Sequence, residues 1–161
     1  MKKFNLTILG LAFLLFSACN KETTADKSRV TNYPLITVVG DNVVFVPQGG
    51  TYTDPGVSAT ENGAEIEVTT TVSGAYRGGS SLDLSKADCY DVTYTATNAD
   101  GFDGSSERRV YVVETGDLVN SIEGLYTSTI VRNGDPKFSD LEYVLVWKNG
   151  DGTYEFSCGF G

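Results

Sequence analysis

Short segments in which apolar and polar residues alternate recur along the chain from residue 33 onwards. In the clearest of them, YDVTYTA at residues 90–96, every second residue is apolar or aromatic and the residues between are Asp or Thr. A period of two places the apolar set on one face of a β-strand. Gly, Pro, Asn and Asp separate the runs at a spacing typical of a sandwich. The sequence therefore predicts an all-β fold in which antiparallel sheets pack face to face.

The runs group into a first module over residues 33–115. Its predicted strands are residues 35–39, 43–47, 66–72, 89–97 and 108–113. The alternation places Cys89 on the outward face of its strand. The segment TDPG at residues 53–56 predicts a sharp turn, because Pro55 restricts φ and Gly56 tolerates a positive φ.

A second segment over residues 120–161 predicts a three-stranded meander, with strands at 125–132, 141–148 and 153–157. The sequence NGDG at residues 149–152 is a strong hairpin signal. Tyr143 and Trp147 share a strand face with Leu141 and Leu145, so core packing is favoured for both rings. A meander this small cannot hold a core alone, so it either packs on the first module or lacks strands.

The N-terminus is typical of a targeting segment. Lys2 and Lys3 precede an apolar stretch over residues 6–16, and Ser17 and Ala18 lead into Cys19. Residues 1–18 therefore predict a signal peptide. The small residues before the cysteine resemble the lipobox of bacterial lipoproteins, which implies that Cys19 is diacylated and becomes the mature N-terminus. An ordinary signal peptide or an uncleaved anchor is the alternative.

The polar residues 19–32 that follow predict a flexible tether between the lipid and the first module. Lys21 and Glu22 partly match the export signal that carries lipoproteins of glycan-foraging Gram-negative bacteria to the cell surface. We therefore expect a lipid-anchored protein of the cell outer membrane that faces outward, and the periplasmic face stays open as an alternative.

Three segments carry a more specific resemblance: GGTYTDPGVSA at residues 49–59, YDVTYTATNADG at residues 90–101 and RVYV at residues 109–112. In this order they resemble the immunoglobulin-like (Ig-like) domain of bacterial surface proteins. The resemblance implies a small seven-stranded sandwich that serves as a stalk, spacer or adhesive module. Cys89 departs from the pattern, because the family commonly has Gly there.

Residues 122–126 and 151–157 resemble lipoproteins in which this Ig-like domain is followed by a further β domain of unknown function. Those chains continue into Gly/Tyr-rich sequence, so we expect a truncated C-terminal domain here. Phe156 and Phe160 would then lie at an apolar, aggregation-prone edge.

Composition removes several kinds of chemistry. The chain has no His, and this removes the usual general base and the commonest transition-metal ligand. The net charge of −9 disfavours nucleic acid as a partner. Glu65 and Glu67 form a solvated strand face rather than a glycosidase pair. We predict no enzyme, catalytic residue, metal or cofactor, and the sequence leaves open whether Cys89 and Cys158 pair.

Two exposed aromatic residues are the candidates for ligand binding. Tyr76 and Phe102 fall in Gly-rich loops, which we expect at an end of the sandwich where binding loops gather. The predicted partners are the membrane, through the N-terminal lipid, and either a glycan or other surface proteins. By analogy with the similar proteins, we expect a surface binding or spacer module accessory to outer-membrane glycan uptake. The alternative is a structural or adhesive module that binds no glycan.

Overall fold

The structure is a computed structural model, and it describes residues 30–157. The predicted signal peptide, Cys19, most of the tether and Cys158 lie outside the described residues. Two compact units divide the chain, Met1–Thr31 and Asn32–Gly161, and the second contains all the described strands.

The first module is an all-β sandwich of seven strands, as the resemblance implied. The strands are β1 (Leu35–Val38), β2 (Val43–Pro47), β3 (Val57–Glu61), β4 (Ala64–Ile66), β5 (Thr69–Gly74), β6 (Asp88–Thr97) and β7 (Asp103–Val113). One sheet has the order β1-β3-β4 and the other has the order β2-β7-β6-β5. Neighbouring strands are antiparallel except β2 and β7, which run parallel. We call these seven strands the sandwich.

The alternating pattern of β6 is confirmed. Its apolar set is buried, and the Asp and Thr residues between are half-buried. The core combines this set with one side of β2 and β7; its buried members are Val46, Tyr90, Val92, Tyr94, Val110 and Val112. Side chains from both sheets thus meet in one apolar layer, which fixes the loops at either end of the sandwich.

Three strand predictions needed correction. β3 was missed because it is short, and its sequence VSATE has only two apolar residues. The predicted strand 66–72 is divided into β4 and β5, which belong to different sheets. β7 begins five residues before the predicted start, because its polar first half pairs with β6 although it buries little.

The predicted three-stranded meander is confirmed. It consists of β8 (Gly124–Arg132), β9 (Asp135–Lys148) and β10 (Tyr154–Phe156), in the order β10-β9-β8, and we call it the C-terminal sheet. The β9–β10 hairpin closes as predicted, since the Asn149 amide donates to the Thr153 carbonyl over 2.8 Å. β9 begins six residues earlier than predicted, and bulges interrupt its pairing with β8.

The C-terminal sheet packs on the outer face of the sandwich. Leu145 and Trp147 are buried against Ala87, with Val113 and Leu125 beside them. The prediction that Trp147 packs in a core is therefore confirmed. Cys89 points away from the sandwich core, as predicted, and it is buried on that face. The alternation within one strand could not show that a second sheet covers that face.

Candidate functional site

A buried arginine joins the loops at one end of the sandwich. The Arg108 side chain is fully buried on β7, and its guanidinium forms an ion pair and a hydrogen bond with Asp54. The same carboxylate accepts a hydrogen bond from the Tyr94 hydroxyl. The Gly56 amide donates to it as well, over 2.7 Å. Residues 53–56 thus supply the counter-ion for a buried charge. The sharp backbone turn predicted there is not formed, because the Gly56 amide bonds the Asp54 side chain rather than a backbone carbonyl, although Gly56 does have a positive φ.

The remaining donors of Arg108 bind the β1–β2 connection. Its Nε donates to the Asp41 carbonyl over 3.0 Å, and one Nη donates to the Val39 carbonyl. Its other Nη also lies 3.2 Å from the Tyr52 hydroxyl. Because these bonds satisfy a guanidinium that solvent does not reach, the network holds the loops in one arrangement. The network provides a rigid frame and leaves no charged group free for chemistry.

A buried carboxylate organises the loop that carries Tyr76, at the start of β6. Asp88 is fully buried, and it accepts hydrogen bonds from the backbone amides of Tyr76, Arg77 and Cys89 at 2.8–3.1 Å. The loop also passes close to Gly74, where an added Cβ would lie 2.2 Å from the Gly78 carbonyl oxygen. The backbone on both sides of Tyr76 is therefore fixed by the fold.

The Tyr76 ring rests on the C-terminal sheet. It stacks on Trp147, with ring centroids 6.0 Å apart and an angle of 18° between the planes. Trp147 is buried, whereas Tyr76 is 41% exposed. One aromatic ring is thus presented to solvent on a rigid support, as an aromatic platform for a ligand requires. The Trp147 Nε1 is buried and has no hydrogen-bond partner among the described residues.

Phe102 lies at the opposite end of the sandwich. It follows β6 in the turn at residues 98–102, whereas Tyr76 precedes that strand. Its ring packs against Tyr33, with centroids 5.5 Å apart, and is 46% exposed. The structure therefore keeps both predicted ligand-binding residues at the surface but does not bring them together. One small ligand cannot contact both of them.

A cluster of three aromatic rings, which the sequence did not single out, lies between the sandwich and the C-terminal sheet. We call Phe45, Tyr111 and Tyr143 the aromatic seam; their ring centroids are 5.2–5.7 Å apart. Tyr143 reaches this place from a bulged stretch of β9, where its φ is +64°. Phe45 in β2 is half exposed and points away from the core, but the strand sequence VVFVP is apolar at every position, so no alternation showed this. The bulge at Tyr143 has no sequence signal either.

Two shallow grooves adjoin the aromatic seam, and Leu125 lines both of them. One has a volume of about 520 Å³ and is lined in part by Phe45 and Glu114. The other has a volume of about 470 Å³ and lies beside Tyr143 and Glu142. Both volumes fall within the usual range for ligand pockets, which is roughly 300–1,000 Å³.

The other residues that the sequence singled out are not arranged as an active centre. Burial raises the pKa of the Cys89 thiol to about 11, so the thiol is not activated. Glu65 and Glu67 are exposed. Within residues 30–157, no group of three or more acidic or cysteine side chains is placed to hold a metal ion. The same residues contain no helix of sufficient length and apolarity to cross a membrane.

Two family models match parts of this chain. Residues 36–112 match the family model described as bacterial surface protein, Ig-like domain. A second family model, for a C-terminal domain, matches residues 115–161. No curated protein matches the chain.

Among solved structures, the lipoprotein BT2262 from Bacteroides thetaiotaomicron is similar at 23% sequence identity and a TM-score of 0.46. The similarity covers 71% of this chain and 56% of that one, so this chain spans little more than half the length of that lipoprotein. The predicted family resemblance is confirmed by the family match and by the seven strands that carry it. Residues 36–112 are thus similar to the Ig-like domain of bacterial surface proteins, and residues 115–161 are similar to the C-terminal domain of a second family.

Proposed function

We propose that this protein is a lipid-anchored module of the outer-membrane surface that binds saccharides without catalysis, as an accessory to glycan uptake. The family match indicates a non-catalytic module of the bacterial cell surface. The finer assignment draws on the sequence around Cys19, which resembles a lipobox, and on the Tyr76 ring.

The observation that carries the proposal is the support beneath Tyr76. A saccharide ring has apolar faces that pack on an aromatic ring, and the affinity rises when that ring is already held in place. Trp147 holds the Tyr76 ring from below, and Asp88 holds its backbone. Phe102 is the second candidate, at the other end of the sandwich.

The test is a glycan array followed by titration calorimetry on soluble residues 20–161. We expect Tyr76→Ala to weaken saccharide binding at least tenfold, because it removes the aromatic platform. Phe102→Ala is the matched control, since it removes an equally exposed ring at the other end of the sandwich. Loss of binding in the control alone would move the site to Phe102. An array on which the folded protein binds no glycan would reject the saccharide assignment.

Anchoring is tested separately by labelling cells with a radioactive fatty acid. The wild-type chain should incorporate label and fractionate with the outer membrane, and Cys19→Ser should do neither. Protease treatment of intact cells then distinguishes the outer surface from the periplasmic face.

A structural or adhesive module is the second candidate function. Its supporting observation is the hairpin of β8 and β9, where Val131 and Phe138 are more than half exposed. Among the described residues, β8 is paired along one edge alone. Exposed strand edges and apolar side chains are common places for contacts with other proteins. This candidate predicts a crosslinked protein partner and no response on the glycan array.

A further inference from the structure

Three neighbouring grooves share Leu125 as a lining residue, and the one beside Phe45 is lined by both the sandwich and the C-terminal sheet. The third, of about 230 Å³, shares Thr115 with the groove beside Phe45 and shares Tyr126 with the groove beside Tyr143. We call these three neighbouring grooves the boundary groove. An extended ligand can contact all three of them, whereas a compact ligand fills only one.

Aromatic and apolar side chains form the walls of the boundary groove. Phe45 is half exposed, and its ring contacts Tyr143 at a centroid distance of 5.5 Å. Tyr126 is held in place by a hydrogen bond of 2.8 Å from its hydroxyl to the Ile122 carbonyl. The aromatic walls are therefore positioned before any ligand arrives.

The charges at the boundary groove have one sign. Each of its three parts contains one carboxylate: Glu114, Glu142 or Glu123. None of the described residues that line it is Lys or Arg. Glu123 is fixed, because one of its oxygens accepts from the Lys148 amide over 3.1 Å and the other accepts from the Ser121 hydroxyl over 2.7 Å.

We propose that the boundary groove binds an extended segment of a partner protein that carries Lys or Arg side chains. A cation above an aromatic face is attracted by the ring, and a neighbouring carboxylate adds a charge-assisted hydrogen bond. The long apolar stem of Lys or Arg packs on surfaces such as Leu125. The net charge of −9 attracts a basic segment and repels an acidic one. This partner goes beyond the saccharide proposed for Tyr76.

The test uses the peptide KTKTKT in titration calorimetry with soluble residues 20–161. We expect saturable binding that weakens as salt rises, and no binding by the same peptide with acetylated lysines or by ETETET. The double variant Glu114→Gln/Glu142→Gln should weaken binding at least tenfold. The matched control is Glu65→Gln/Glu67→Gln, which removes the same charge from exposed positions in β4 and just after it, and it should leave the affinity within twofold.

A second variant pair examines the aromatic wall without changing charge. Phe45→Ala should weaken peptide binding about threefold to tenfold, and Phe102→Ala should not change it. Urea unfolding confirms that each variant is folded.

Three results would overturn the proposal. Equal weakening of peptide binding by the two pairs of glutamate substitutions would show non-specific attraction to an acidic protein. Absence of peptide binding would reject a basic segment as the ligand of the boundary groove. Binding of maltohexaose that is lost in Glu114→Gln/Glu142→Gln would assign the boundary groove to a neutral saccharide instead. The saccharide assignment of Tyr76 is tested by its own variants, so the two proposals fail independently.

Discussion

Arg108 is the residue on which the arrangement of the sandwich loops depends most. It is fully buried, and Asp54, which supplies its counter-charge, is one-third exposed. Breaking a buried ion pair by removing one partner costs about 3–5 kcal/mol, because the other charge stays buried and unpaired. We expect Asp54→Asn to lower the free energy of unfolding by about 3 kcal/mol, at the low end because Asp54 is partly hydrated. Urea denaturation measures the change.

The control for this prediction is the ion pair of Arg109 and Asp91, which lies on the surface one residue further along β7. The Arg109 side chain is 53% exposed, so solvent already screens the pair. Asp91→Asn should therefore cost less than about 1 kcal/mol. Equal costs for the two asparagine variants would show that the Arg108 network is no more important than a surface contact.

The stability of the protein should also depend on acid through Asp54. Burial tends to raise the pKa of this carboxyl, but hydrogen bonds from Tyr94 and Gly56 and the charge of Arg108 hold it below the ordinary value of 3.8. A lowered pKa in the folded state adds stability above about pH 4, and this stability is lost as the pH falls through the folded pKa.

The free energy of unfolding should therefore fall more steeply below pH 4 in the wild type than in Asp54→Asn. Urea unfolding at several pH values down to about 2 measures both curves, and they should converge at the acid end. Parallel curves for the two proteins would show that Asp54 does not cause the loss of stability in acid.

At this scale the sequence predicted less than it did for whole strands. It predicted a sharp turn at residues 53–56, which the structure does not have, and nothing local showed that Asp54 would meet Arg108. The two residues are 54 positions apart, and their contact depends on how both sheets stack. Tyr76 and Phe102 were predictable as exposed rings because Gly-rich loops surround them. The two rings lie at opposite ends of the sandwich because of the way the strands are connected. The positions of aromatic residues in the sequence do not predict this separation.

At the scale of elements, β9 is the strand that joins the C-terminal sheet to the sandwich. Its residues Leu145 and Trp147 alternate as the sequence predicted, and they cover the outer face of the sandwich. Its N-terminal half pairs with β8 through bulges, and Tyr143 has a positive φ of 64° there. A bulge changes the direction of a side chain without a clear sequence signal. The sequence therefore predicted the strand and its buried face, but not the aromatic seam.

Trp147 tests how firmly β9 holds the C-terminal sheet. Trp147→Ala removes a buried ring and leaves a cavity, so it should cost about 3–5 kcal/mol of unfolding free energy. Trp147→Phe keeps an aromatic ring beneath Tyr76 and removes an indole N–H that has no partner among the described residues. It should therefore cost less than about 1.5 kcal/mol. Circular dichroism during urea unfolding measures both. A phenylalanine variant as unstable as the alanine variant would show that the size of the ring matters more than its stacking.

At the scale of the whole molecule, the sandwich and the C-terminal sheet belong to one compact unit. Their contact buries the outward face of β6 near Cys89. If the two parts were separated, apolar side chains on both contacting surfaces would be exposed to water. The strand patterns of the sequence indicate two segments and do not show whether the second packs on the first. That question could not be answered from strand patterns, because the same alternation suits a face covered by solvent or by another sheet.

We therefore expect the described part of the chain to unfold in one cooperative transition. Trp147 is the only tryptophan and lies in the C-terminal sheet, so its fluorescence reports on that sheet. Far-ultraviolet circular dichroism reports mainly on the larger sandwich. The two signals should give the same urea midpoint, since coincident transitions mark two-state unfolding. Asp54→Asn changes the sandwich alone, yet it should shift the Trp147 midpoint by the same amount as the circular dichroism midpoint. A tryptophan transition that does not respond to this distant substitution would show that the C-terminal sheet unfolds independently, and the boundary groove between the sheets would then not be a rigid surface.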